Sequence, residues 1–284
     1  MKKLLRKLAN QTTPDTNLED QPLTTLRHPS GLTLPPKIYF CHVPKCAGSS
    51  LDSAFRNQLY TPNKLGQFDI KLEESRFAAS ILDTSMMSVR ETVLAYNLSI
   101  KANFFGSGHC FCRPNLVTNF SPEWNFFTVL RDPVERWISL YTYNTFKLSK
   151  WAKNTLPLNE YIRSHKGIAA GQSFIHYFSD FSQAPRSNPA DYIEQAIHNL
   201  QRFSIVGTTE HLDQLAQQTE KEFQVKLNLP RLNETPNSEL AQQLRSTPEI
   251  IKKIEHICRH DTEIYKRFLG EFGPIYSKRF HAIN

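Results

Sequence analysis

Residues 38–51, Ile38-Tyr39-Phe40-Cys41-His42-Val43-Pro44-Lys45-Cys46-Ala47-Gly48-Ser49-Ser50-Leu51, read as a buried strand running into an anion-cradling turn and a helix. The apolar, aromatic and β-branched run from Ile38 to Val43 follows Pro35-Pro36 and stops at Pro44, which marks a short strand. Lys45 then supplies positive charge, and Ala47 and Gly48 leave room for an oxyanion beside the backbone. Ser49 and Ser50 offer hydroxyl donors and are expected to cap the helix that follows. Free N–H groups at a helix start favour phosphate or sulfate through hydrogen bonding and the local dipole. The ATP/GTP signature G-x-x-x-x-G-K-[ST] does not match, because here the lysine precedes the glycine.

A second strand-to-helix junction lies downstream. Asn125-Phe126-Phe127-Thr128-Val129-Leu130 reads as a buried strand, and Arg131-Asp132-Pro133-Val134-Glu135-Arg136-Trp137-Ile138-Ser139-Leu140-Tyr141 as a helix entry. Asp132 suits the N-cap, Pro133 the first helical position, and Glu135 the far end of a capping box. A helix is expected around Ser88 to Asn97 and an extended segment from Ala102 to Ser107. The stretch 151–191 reads as loop-rich, with one short helix near Leu158 to Ser164, and as a candidate substrate-facing insertion. Ile193, Ala196, Ile197 and Leu200 predict an amphipathic helix leading into a strand at 203–207. Ile250, Ile254, Ile257, Ile264 and Phe268 predict a long final helix. This alternation predicts an α/β fold, a P-loop-like parallel sheet flanked by helices in a single domain at 37–284, after a flexible N-terminal segment at 1–36.

The chain has 284 residues, enough for one large α/β domain with a continuous core. Lys and Arg exceed Asp and Glu by 34 to 27, and the resulting +7 suits an acidic ligand or polymer without saying which. Five cysteines form no even disulfide framework, so reduced thiols in a cytoplasmic setting are expected. No apolar stretch approaches the ~20 residues of a transmembrane span. Leu4, Leu5 and Leu8 among Lys2, Lys3, Arg6 and Lys7 suit peripheral membrane contact, although a frayed solvated terminus explains them more simply.

HVPKCAGSS at 42–50 and VLRDPVERWISLYTY at 129–143 together resemble the two nucleotide-binding signatures of sulfotransferases, in particular the carbohydrate branch that includes heparan sulfate 2-O-sulfotransferase. The resemblance continues more faintly through AIHNLQRFSIVGTTEHLDQL at 196–215. It implies 3′-phosphoadenosine 5′-phosphosulfate (PAPS) as sulfuryl donor, no metal, a carbohydrate or acidic glycan as acceptor, and either a bacterial cytoplasmic enzyme or a trimmed Golgi lumenal domain. By the same resemblance Lys45 contacts the phosphosulfate and stabilises the leaving phosphate, and Gly48, Ser49 and Ser50 hold it beside Cys46 and Ala47. Arg131 and Ser139 match the 3′-phosphate contacts. Gly106-Ser107-Gly108-His109 is similar to a Gly-His segment whose histidine is the catalytic base. Arg231 falls where related enzymes close a loop over the nucleotide.

Each residue also has a plainer reading. Lys45 alone would be a solvated lysine, and Ser49 and Ser50 simple helix caps. Arg131 would pair with Asp132 or Glu135, and Ser139 would bond back within its helix. Arg136 reads as a solvated helix residue and His109 alone as structural. Three other functions stay open: a P-loop-like nucleotide-dependent kinase, a zinc protein using Cys41, His42, Cys46, His109, Cys110 and Cys112, and a nucleic-acid-binding module. The zinc reading lacks the usual C-x-x-C spacing, and the last has only net charge in its favour.

Overall fold

The structure, a computed structural model, describes residues 35–183, 188–229 and 238–281. Residues Pro36–Asn284 form a compact unit around a six-stranded sheet. The strands are β1 (Ile38–Cys41), β2 (Gln67–Asp69), β3 (Phe105–Gly108), β4 (Asn125–Leu130), β5 (Ile205–Thr208) and β6 (Tyr276–Ser277), in the order β2-β3-β1-β4-β5-β6. The first five are parallel, and β6 closes the edge antiparallel to β5.

Parallel strands need crossover connections, and helices supply them. The helices of six residues or more are α1 (Gly48–Gln58), α2 (Leu72–Ile81), α3 (Met86–Ser99), α4 (Pro114–Phe120), α5 (Pro133–Phe146), α6 (Leu158–Arg163), α7 (His165–Ala170), α8 (Ser173–Phe178), α9 (Pro189–Leu200), α10 (Leu212–Phe223), α11 (Ser238–Arg245) and α12 (Pro248–Phe272), the last three lying between β5 and β6. The predicted strands and the α3, α5, α9 and α12 helices are therefore present. Between β1 and β3, however, β2 and α2 were not foreseen, because a three-residue strand is too short to show a period.

The stretch 151–191 has the short helix expected near Leu158 to Ser164, as α6, and is otherwise more helical than its loop-rich reading. It carries α6, α7, α8 and the start of α9, short helices whose few apolar positions give no long period. Their packing supplies the order: Trp137, Ile138, Tyr141, Tyr161, Ile162, Ile254 and Ile257 form a second core against one face of α5. Arg136, expected to be solvated, is 0% exposed at the base of this region. Its guanidinium meets the Ala170 carbonyl and lies 4.0 Å from buried Asp261. Asp261 in turn accepts from the amides of Phe174 and Ile175, capping α8 from α12. Burial pushes its carboxyl up to about 7 against the pull of Arg136 and those amides.

Strand order positions the site. The chain builds β2 and β3 on one side of β1, then crosses to build β4 and β5 on the other. In such sheets ligands bind beyond the carboxyl ends of the strands where the order reverses, here at β1 and β4.

Candidate active site

The turn after β1 is built from unusual backbone. Lys45 and Ala47 both adopt left-handed conformations, with φ of 67° and 55°. For residues with a Cβ this costs roughly 1–2 kcal/mol each, and such turns can aim successive amides into one concavity. Ala47 is the N-cap of α1 and provides no side-chain cap, so Ser49 and Ser50 lie inside the first turn and do not cap it as expected. Among the described residues the amides of Gly48 and Ser49 have no acceptor, whereas α5 begins with Asp132 accepting from Val134 and Glu135 at 3.0 Å each. Gly48 is required for a local reason. A Cβ there would lie 1.7 Å from Nε2 of His42, whose ring covers the start of α1.

Sheet register places two histidines side by side. Cys41 is paired with Gly108 across β1 and β3, so one step further the strands deliver His42 and His109 together. Their ring centroids are 4.2 Å apart, and His42 also stacks on Phe40 at 5.4 Å. Nδ1 of His109 lies 2.6 Å from the His42 carbonyl oxygen. A carbonyl can only accept, so Nδ1 carries the proton and Nε2 keeps its lone pair. Burial pushes His109 below the usual imidazole range, the bond to His42 opposes this, and the Arg90 charge adds to the lowering. The ring is accordingly neutral near physiological pH, with the tautomer a general base needs.

Two cations complete this edge. Nζ of Lys45 sits 4.0 Å from the centroid of the Tyr143 ring, and among the described residues it has no carboxylate partner. Burial lowers its pKa and the neighbouring Arg131 lowers it further. Nη1 of Arg131 donates to the Lys45 carbonyl at 3.3 Å, joining the turn after β1 to that after β4. Arg131 also pairs with Glu135 at 3.7 Å. Glu135 does not close a capping box as expected; its carboxylate is held by Arg245 through bonds of 2.8 and 2.7 Å. The long arm of Arg245 offers a charged fork, which outcompetes a bond to one backbone amide.

Ser139 is 4% exposed on α5. Among the described residues its hydroxyl makes no hydrogen bond, so the expected back-bond within the helix is not formed. It lies one helical turn before Tyr143, on the face that meets Lys45. The helical rise sets it about 10 Å beyond Asp132, with no described contact to Arg131. Arg231 lies outside the described residues.

All five cysteines are buried and form no disulfide. Cys46 is buried and its thiol is pushed up to about 12, chiefly by burial; Cys110 is likewise pushed up to about 12. Cys41 donates to the Cys110 carbonyl at 3.7 Å. Among the described residues no three His, Cys, Asp or Glu side chains converge in a way that could hold a metal ion. No helix of the described residues is long and apolar enough to cross a membrane.

Sequence reasoning assigned Lys45, Arg131 and His109 to one site, and the structure brings these three to one edge. It gave His42 and Tyr143 no role there. The signal for His42 was its place just after β1, level with His109 just after β3, visible only once β1 and β3 are known neighbours. For Tyr143 it was the i, i+4 spacing from Ser139.

A profile of the sulfotransferase family matches residues 35–268. Among solved structures, retinol dehydratase in complex with retinol and PAP aligns over 84% of this chain and 82% of its own, at 13% identity and a TM-score of 0.28. A search of the curated proteins found no match.

Proposed function

Since the chain belongs to the sulfotransferase family, we propose that it moves the sulfuryl group of PAPS to a hydroxyl of a carbohydrate acceptor. The observation that carries this reading is the pairing of Lys45 and Arg131, two neighbouring cations, next to His42, whose carbonyl holds His109 with its Nε2 lone pair open. Two cations held together in a half-buried turn repel each other until an anion lies between them. Lys45 and the uncapped amides of Gly48 and Ser49 suit the 5′-phosphosulfate, with Cys46, Ala47 and Ser50 lining the same turn. Arg131 and the unbonded hydroxyl of Ser139 suit the 3′-phosphate, for which arginine offers paired charge-assisted bonds.

In the step we propose, the acceptor oxygen attacks sulfur as Nε2 of His109 takes the hydroxyl proton. The bond from sulfur to the bridging phosphate oxygen breaks, and its electron pair stays on that oxygen. Lys45 stabilises the charge arriving there, which is the larger part of such catalysis. The products are a sulfate ester and adenosine 3′,5′-bisphosphate. A carbohydrate acceptor is supported by the Gly-His segment ending at His109 and, for an acidic glycan, by the +7 balance.

Transfer of labelled sulfate from PAPS to a panel of neutral and acidic glycans and small alcohols tests the proposal. Labelled glycan formed by the wild type and not by His109→Ala is the expected result. Label appearing only on small alcohols would overturn the carbohydrate assignment.

A further inference from the structure

Arg90 is a buried cation that neither the sequence motifs nor the proposed chemistry uses. It lies on α3, is 3% exposed, and among the described residues has no carboxylate partner. The adjacent Glu91 is engaged instead by Arg113, whose Nε donates to it at 2.6 Å. An unpaired guanidinium so deeply buried is costly, and such groups persist where they do something a neutral side chain cannot.

Its bonds point to the base. Nη1 donates to the main-chain oxygen of His109 at 2.7 Å, and Nη2 to that of Ile70 at 2.8 Å. Cys110, the next residue in the chain, returns a bond of 3.8 Å from its thiol to the Arg90 carbonyl. The segment leaving β3 is therefore gripped at two successive residues, while Nδ1 of His109 is held from the other side by the His42 carbonyl. Nε of Arg90 is buried and unsatisfied, so the contact to His109 is kept at the expense of complete hydrogen bonding.

We infer that Arg90 is a positioning residue for His109, fixing its main chain so that Nδ1–H stays on the His42 carbonyl and Nε2 stays available to the acceptor. This rests on His109 being the base. Arg90 also places a full positive charge beside both imidazoles, where it disfavours their protonation. The other groups that face them are Lys45 and the His109 ring, which both act on His42, and the His42 carbonyl, which acts on His109.

Arg90→Met and Arg90→Lys test the inference in the full-length chain, beside His109→Ala. Adenosine 3′,5′-bisphosphate affinity serves as the control for folding. Misplacing a catalytic group by about 1 Å can cost about 10²-fold in rate. Arg90→Met is expected to lower kcat by about that factor, leave the KM for PAPS near wild type, and move the acid limb of the pH profile upward. Arg90→Lys keeps the charge but not the two-carbonyl fork, so its kcat falls while its acid limb stays in place. Nitrogen-15 spectra of the His109 ring give a readout without turnover, in which Arg90→Met loses the dominant Nδ1–H tautomer. Should Arg90→Met not fold, Arg90→Lys carries the test through kcat. Wild-type kcat and an unchanged His109 tautomer in the variants that fold would overturn the role of Arg90. Full activity in His109→Ala would instead overturn the base on which it rests.

Discussion

Nη1 of Arg131 donates to the main-chain oxygen of Lys45 at 3.3 Å, so the turn after β4 braces the turn after β1. In the proposed reading this residue has two duties, holding the Lys45 loop and presenting charge to the ligand. Hydrogen bonds to charged groups contribute about 1.5–3 kcal/mol each. Arg131→Ala should weaken adenosine 3′,5′-bisphosphate binding by about ten- to a hundredfold, and weaken adenosine 5′-phosphosulfate, which lacks the 3′-phosphate, clearly less. Calorimetric titration of both ligands checks this, and equal losses would take the 3′-phosphate away from Arg131.

Lys45 is held over Tyr143 rather than spent on a carboxylate. In the proposed step its ammonium meets charge that develops only as the phosphate departs. By comparison with deleted oxyanion donors, Lys45→Met should lower kcat by about 10²–10³-fold. A variant that raised KM for PAPS with kcat intact would make Lys45 a binding residue alone.

The depressed imidazole of His109 has a consequence for pH. A general base must be neutral, so activity falls as pH drops through its pKa. Burial and Arg90 move that pKa down from its ordinary 6.5, and the acid limb of kcat/KM is expected below that pH. A limb at or above 6.5, measured with ligand saturation controlled, would contradict a buried base.

Gly48 and His42 share one space, since a Cβ on Gly48 would lie 1.7 Å from the imidazole. Overpacking of this kind costs about 1–3 kcal/mol. Gly48→Ala should lower the melting temperature, and adding His42→Ala should recover part of the loss, because the colliding ring is gone. The His42 carbonyl that orients His109 is main chain and survives in both variants. Strictly additive losses in the double-mutant cycle would show that the ring is not what excludes a side chain there.

Much of this architecture was legible in the chain. β4 runs from Asn125 to Leu130 as its uninterrupted apolar run predicted, and the Asp132-Pro133 pair starts α5 through the predicted cap. These signals are local, carried by residues within a turn or two. Lys45, Arg131 and His109 were legible as individual motif residues for the same reason.

What escaped depends on tertiary neighbours. Arg136 is a charged residue in the first turns of α5, and nothing near it in sequence announces Asp261 on α12 or the Ala170 carbonyl on α7. Glu135 satisfied a local capping rule, yet Arg245, 110 residues away, claims its carboxylate. The helices α7 and α8 are six residues each, too short for a period, and were read as loop, whereas the equally short α6 was expected at Leu158 to Ser164. Arg90 could not be linked to His109 until α3 was seen to pack against the end of β3.

Calorimetric comparison of adenosine 3′,5′-bisphosphate with ATP tests the central claim most directly, because it asks whether the turn after β1 and the residues after β4 act together on two separated phosphates. The account predicts that adenosine 3′,5′-bisphosphate binds more tightly by at least an order of magnitude and that Arg131→Ala removes most of the difference. Tighter binding of ATP, unaffected by Arg131→Ala, would contradict it.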